Sequence, residues 1–266
     1  MITLTLRTAP DGRVDMTGVL PETLAGRAAS DITAQFLRVD GNPVALGDLF
    51  EVAPGEGDVL VIRTDCDRLD CLGKGMTAGT LRVEGLAGHY VGQDLRGGKL
   101  EIQGDAGDYV ANGMKGGLLR IHGNAGDWLG AALVGDRTGM AGGVVAVDGD
   151  AGDRLGDRMR RGLILVRGKA GDACGARLLA GTIVVAGGCG GLSGFGLRRG
   201  SLILGRMPES IPATFNDAGV VELSYLGLLH RHAESILPGV FPPVSSARRY
   251  MGDLAFGGKG EILVLV

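Results

Sequence analysis

A chain of 266 residues with 50 glycines, 45% hydrophobic residues and only 4% aromatics must build its core from aliphatic side chains and alanine. Glycine at this level without a strict three-residue period excludes collagen, and the abundance of Val, Ile and Leu excludes a disordered tract. The formal net charge of −3 argues against a general nucleic-acid binder, and no apolar run reaches the ~18 residues of a membrane-spanning helix.

Residues 1–56 read as a capping segment with a strand and some helix. Its start, Met1 to Arg7, alternates as a strand does and lacks the basic and apolar regions of a secretory signal. Val59 to Arg63 then reads as one irregular first unit, and a strict repeat runs from about Cys66 to Gly205. One glycine anchors each unit: Gly79, Gly98, Gly117, Gly143, Gly162, Gly181 and Gly200, spaced by 19 residues except for one step of 26. The long step places a seven-residue insertion within Ala131 to Ala141.

Two and four residues after each anchor come apolar pairs, from Leu81/Val83 to Leu202/Leu204, so each unit holds a strand with one buried face. A small residue recurs eight after the anchor (Ala87, Ala106, Ala125, Ala151, Ala170, Cys189). Further apolar or small columns run through Val91, Val110, Leu129, Leu155, Cys174 and Ser193, and through Met76, Leu95, Met114, Met140, Met159, Leu178 and Leu197. A unit this short cannot bury its own apolar face, so neighbours must stack. It is also too short for a strand, a crossover helix and two turns. The expected fold is all-β: a right-handed parallel β-helix of about seven to eight coils over residues 57–206. Gly85, Gly104, Gly123, Gly149, Gly168 and Gly187 are expected to supply positive φ angles at its corners. Residues 207–266 are expected to pack on the solenoid as a helix from Asp217 to Ile236 and a strand from Glu261 to Val266, so that both flanks cover open strand edges.

An acidic row recurs ten after the anchor: Asp108, Asp127, Asp153 and Asp172, with His89 in the first place. Calcium-binding β-rolls also carry periodic Gly and Asp, but in a different pattern; the plainer reading is that these side chains accept hydrogen bonds from turn amides. A basic row lies two before the anchor, Arg96, Lys115, Arg160 and Arg198, with Arg161 and Arg199 beside it. Stacking would gather these into a stripe for a polyanion or an acidic partner; the alternative is a solvated edge or pairing with the chain's own carboxylates. The insertion adds Asp136 and Arg137. Cys66 and Cys71 lack zinc spacing, Cys174 and Cys189 fall on inward positions, and His230 and His232 are two apart on a helix. Gly257-Gly258-Lys259-Gly260 lacks the full phosphate-loop spacing. No catalytic, cofactor-binding or metal-binding residue is expected, and with four Cys the chain reads as cytoplasmic.

The run Gly123 to Ala132 (GNAGDWLGAA) followed by Gly139 to Gly143 (GMAGG) resembles the C subunit of formylmethanofuran dehydrogenase, and the C-terminal domain of glutamate synthase large subunits has a similar β-helix. Gly156 to Gly162 (GDRMRRG) and the tail from Gly252 to Ile262 resemble its bacterial counterpart in the formyltransferase/hydrolase complex of methylotrophs. The resemblance spans nearly the whole chain. It implies a cytoplasmic, non-catalytic scaffold subunit in one-carbon metabolism, specifically formaldehyde oxidation. The implied complex moves a formyl group from tetrahydromethanopterin to a methanofuran-type carrier and hydrolyses it to formate. The implied partners are the hydrolase-like A and B subunits and the formyltransferase D subunit, with the metal in another subunit and no nucleic acid or membrane. Because such carriers can bear a polyglutamate tail, the basic row becomes a candidate for holding it. A stand-alone β-helix acyltransferase or carbohydrate-active enzyme, and a glutamate-synthase-like structural domain, remain the alternatives.

Overall fold

The computed structural model describes residues 1–266. The N-terminal part contributes β1 (Ile2–Leu6), β2 (Val14–Asp15), the short helices α1 (Pro21–Leu24) and α2 (Ala29–Thr33), β3 (Phe36–Val39), β4 (Asn42–Ala45), α3 (Leu46–Leu49) and β5 (Phe50–Ala53). The repeat region holds β6 (Val59–Arg63), β7 (Leu69–Asp70), β8 (Thr80–Glu84), β9 (Lys99–Ile102), β10 (Leu118–Ile121), β11 (Ala141–Val147), β12 (Arg161–Val166), β13 (Thr182–Val185) and β14 (Ser201–Leu204). The C-terminal part adds β15 (Asn216–Glu222), α4 (Tyr225–Ile236), β16 (Ser246–Gly252), a 3₁₀ turn (Leu254–Phe256) and β17 (Gly260–Leu265).

The molecule is mostly β, and a 13-stranded sheet runs β15-β16-β17-β14-β13-β12-β11-β10-β9-β8-β6-β1-β5. Every neighbour from β1 through β14 to β17 pairs in parallel. Antiparallel strands close both ends: β5 on β1, and β16 then β15 beyond β17. A small sheet, β4-β3-β2-β7, joins the N-terminal part to the start of the repeat region. The register keeps the sequence columns aligned, with Leu81 opposite Leu100, Leu100 opposite Leu119 and Leu119 opposite Val145. The insertion therefore leaves the inward columns aligned, with a local register shift between Ala141 and Val144 where β11 pairs with β12. A second column of parallel bridges joins Ala87, Ala106, Ala125, Ala151, Ala170 and Cys189 in turn. The inward columns form one continuous aliphatic core, to which methionines 76, 114, 140 and 159 also belong.

Two kinds of glycine hold the units this close. The anchor glycines have positive φ, and a Cβ on Gly98 would lie 2.6 Å from the Gly79 carbonyl oxygen of the preceding unit. The second column does not behave as expected: only Gly85 has positive φ, while Gly104, Gly123, Gly149, Gly168 and Gly187 do not. Their glycine is required by close approach, since a Cβ on Gly104 would lie 2.7 Å from the Gly85 oxygen. The positive-φ corners fall instead on larger residues, Tyr90, Tyr109, Trp128, Arg154, Ala173 and Leu192.

The C-terminal part also differs from expectation. The segment expected as one helix from Asp217 splits into β15 and the shorter α4. Gly219 at φ +74 and the β-branched pair Val220-Val221 suit a bulged strand, and β16 supplies its hydrogen-bonding partner. Helix α4 then packs on the outer face of the sheet, where Ala146, Leu165, Val184, Ile203 and Leu263 meet Leu226, Ala233, Leu237 and Phe241. In the earlier units the same outward positions carry Arg82, Glu101 and Arg120.

Candidate functional site

The aspartate row is a ladder of hydrogen bonds between units. The Asp108 carboxylate accepts from the Asp127 amide at 2.9 Å, Asp127 from Asp153 at 2.8 Å, Asp153 from Asp172 at 2.8 Å and Asp172 from Gly191 at 2.8 Å. His89 takes the same place through Nδ1, which accepts from the Asp108 amide at 2.8 Å. A parallel row, Asp105, Asn124 and Asp150, accepts from Asn124, Asp150 and Lys169. Each side chain thus meets the amide its corner leaves open, as the turn reading expects.

Beside this ladder the positive-φ corners stack their side chains. The rings of Tyr90 and Tyr109 lie 5.4 Å apart and nearly parallel, Tyr109 and Trp128 5.7 Å apart, and the Arg154 guanidinium sits 4.8 Å over Trp128. Burial, foremost, raises the Tyr90 phenol above its ordinary range, with the neighbouring Tyr109 adding to it.

The sheet's outer face carries a dense ion network. His122 Nε2 lies 3.1 Å from Glu101, and its Nδ1 lies 3.3 Å from Asp148. Lys99 and Arg82 also reach Glu101, at 3.4 and 3.5 Å. Burial alone would raise the Glu101 carboxyl, but the His122 hydrogen bond and the charges of Lys99 and Arg82 hold it below the usual carboxylate range. Arg120 and Arg167 bind Asp148 and donate their remaining N–H groups to the carbonyls of Ile236 and Pro238, at 3.1 and 2.7 Å. This cluster docks the end of α4.

All eight residues singled out for partner contact are exposed: Arg96, Lys115, Asp136, Arg137, Arg160, Arg161, Arg198 and Arg199. They do not form one continuous stripe. Ala141 and Leu179 occupy the same place in the units between Lys115 and Arg160 and between Arg160 and Arg198. Consecutive cations are there separated by two interstrand steps, about 9.6 Å. Lys115 is also paired with Asp94 at 2.8 Å. Arg198 and Arg137 instead converge in a groove of about 430 Å³ that spacing alone did not reveal. Arg158, Arg177, Phe195 and Phe256 also line it, with Leu179 and Gly196. Arg158 and Arg177 occupy corresponding corner positions in successive units, at φ +57 and +52, where other units have Gly113, Ala132 and Gly196. That substitution pattern was the available signal.

Cys174 and Cys189 are buried in the core, as their register implies, while Cys66 and Cys71 are half-buried and free. His230 is held by a 3.0 Å contact from Nδ1 to the Phe241 carbonyl, and His232 is exposed. The Gly257–Gly260 stretch ties the tail to the last repeat, with the Lys259 amide donating to the Arg198 carbonyl at 2.7 Å. No three His, Cys, Asp or Glu side chains gather in a metal-binding cluster. No helix is long and apolar enough to cross a membrane.

The sequence profile of the GXGXG motif family matches residues 61–234. Over 88 residues the chain is 39% identical to the C subunit of the formyltransferase/hydrolase complex Fhc of Methylorubrum extorquens, a match spanning 33% of this chain and 33% of that relative. Its fold is similar to a chain in the X-ray crystal structure of the formyltransferase/hydrolase complex (FhcABCD) from the same organism, in complex with methylofuran. That similarity has a TM-score of 0.93 and 37% identity, covering 99% of both chains.

Proposed function

Because the chain belongs to the GXGXG motif family, we propose that it is the structural subunit of a formyltransferase/hydrolase complex, the counterpart of the Fhc C subunit. The observation that carries this is the similarity to a chain of the FhcABCD structure over 99% of both lengths, which includes the insertion and both flanks. Its partners are then the hydrolase-like A and B subunits and the formyltransferase D subunit. The complex moves a formyl group from tetrahydromethanopterin to a methanofuran-type carrier and hydrolyses it to formate in the cytoplasm. This subunit supplies a docking face and leaves the metal and the transferase site to the others.

We read the winding as a right-handed parallel β-helix over residues 57–206, capped by residues 1–56 and flanked by 207–266. Its support is the ladder of parallel strands at unit spacing, together with the second bridge column from Ala87 to Cys189. The hand follows the general preference of parallel crossovers. The exposed cations Arg96, Lys115, Arg160, Arg161, Arg198 and Arg199, with Asp136 and Arg137, are the surface assigned to partners or to the carrier's acidic tail.

The complex is tested by purifying the tagged chain from its native host: the other three subunits should co-purify, and a lone monodisperse monomer would overturn the reading. The cation surface is tested by reversing Arg160 and Arg198 to Glu and assaying assembly and carrier affinity at low and moderate salt. Both residues are exposed, so loss of either property should be steepest at low salt. Unchanged assembly and carrier affinity would remove these residues from the interface.

A further inference from the structure

The groove beside the insertion holds more positive charge than the chain itself neutralises. Four guanidiniums line it, Arg137, Arg158, Arg177 and Arg198, and Arg154 shares the Asp157 carboxylate with Arg177. The buried Asp157 carboxylate serves two of them, Arg177 through a fork and Arg154 at 3.4 Å. Arg158 donates only to the uncharged Asp136 carbonyl, at 2.8 Å. Arg137 and Arg198 are exposed and make no ion pair. The Asp136 carboxylate lies exposed on the insertion, so even counting it the cations exceed the anions.

The groove also has an apolar wall. Phe195 and Phe256 meet edge-to-face, with ring centroids 5.2 Å apart, and remain 42% and 50% exposed. Two members of the groove lie outside the repeat, Arg137 in the insertion and Phe256 in the 3₁₀ turn of the tail, while Arg158, Arg177, Phe195 and Arg198 belong to repeat units. The insertion is rooted to the repeat stack at both ends. Buried Asn112 donates to the Ala131 carbonyl at 2.7 Å, and the Gly139 amide donates to the Arg158 carbonyl at 3.0 Å. Aromatic rings with arginines are the composition of a protein-interface centre. Guanidinium forks fit planar carboxylates two bonds at a time.

We propose that this groove docks an acidic peptide segment of a partner subunit, with carboxylates on Arg137, Arg158 and Arg198 and one aromatic or large apolar side chain against Phe195 and Phe256. This rests on the reading of the chain as a member of a multisubunit complex. Arg177 positions the site through its fork on Asp157.

The probe is a fluorophore-labelled peptide, Glu-Glu-Phe-Glu-Glu, titrated onto the full chain by anisotropy at low and moderate salt. It should bind at least tenfold tighter than Gln-Gln-Phe-Gln-Gln and several-fold tighter than Glu-Glu-Ala-Glu-Glu. The double variant Arg137→Glu/Arg198→Glu should lose tenfold or more, while Arg231→Glu, an exposed position on α4 outside the groove and the basic row, should leave affinity within twofold. Arg198→Ala, which removes an exposed unpaired side chain, provides a second variant whose melting temperature should stay at the wild-type value. The assembled complex should bind the probe at least tenfold more weakly than the free chain, because a partner fills the groove. Equal affinity for the Glu and Gln peptides, unchanged affinity in both groove variants, or equal binding by complex and free chain would each overturn the proposal. Failure of the wild-type chain to co-purify with other subunits would instead overturn the complex reading, and peptide affinity would still be measurable.

Discussion

Gly104 has ordinary φ, yet a Cβ there would stand 2.7 Å from the backbone of the preceding unit. Replacing it by alanine forces two stacked units apart, and Gly104→Ala should cost about 1–3 kcal/mol in denaturant unfolding. Gly239 is the converse case, with φ +74 and nothing within 4 Å. Gly239→Ala should cost only the left-handed penalty of about 1–2 kcal/mol, and a near-zero cost at Gly104 would refute the stacking account. The aspartate ladder makes a second residue-scale prediction. Asp127 bridges Asp108 and Asp153 through side-chain and amide bonds. Asp127→Ala should destabilise by about 1 kcal/mol, and Asp127→Asn by less, because the amide oxygen still accepts. Millimolar calcium should leave the wild-type melting temperature unchanged; a rise would restore the ion-binding reading of this row.

Helix α4 is held at the scale of the element by an apolar face and two arginines. Leu165 is fully buried beneath it, so Leu165→Ala should cost about 2–5 kcal/mol. The loss should appear first as faster hydrogen exchange in Tyr225–Leu237, and exchange confined to the N-terminal part would contradict the docking described. The ion network on the uncovered half of the same sheet sets a pH dependence. The folded Glu101 carboxyl is held below its unfolded value, so its contribution is complete above the unfolded carboxylate range, near pH ~4.3. It disappears as pH falls through the lowered folded value. Glu101→Gln should therefore be less stable than wild type at neutral pH, with the gap closing under acid. A gap that persists unchanged to the acid limit would show that charge is not its origin. The outward residues follow this division in the structure: Arg82, Glu101 and Arg120 take part in the ion network, whereas Ala146, Leu165, Val184 and Ile203 lie beneath α4.

For the whole molecule, both ends of the parallel run would otherwise be open strand edges. Strands β5 and β16–β15 extend the sheet beyond the parallel run, and α4 covers its last outer face. Removing residues 207–266 would bare the β14 edge together with Leu165, Val184 and Ile203, and bare apolar edges associate. Such a truncation should aggregate in light scattering at concentrations where the full chain is monodisperse in the absence of partners. A soluble truncated monomer would mean that the tail serves only recognition.

The sequence by itself determined the repeat spacing, the inward columns, the inert positions of Cys174 and Cys189, the aspartate ladder and the family resemblance. These are legible because stacking makes every unit repeat the same demand at the same place, so period and register appear directly in the residue order. Only the tertiary structure decided the split of the expected C-terminal helix into β15 and α4, since strand pairing with β16 outweighs local helical spacing there. It alone also brought Arg137, Arg158, Arg177, Arg198, Phe195 and Phe256 into one groove. The insertion and tail do not repeat, and sequence spacing says nothing about where a non-repeating loop folds back onto the stack.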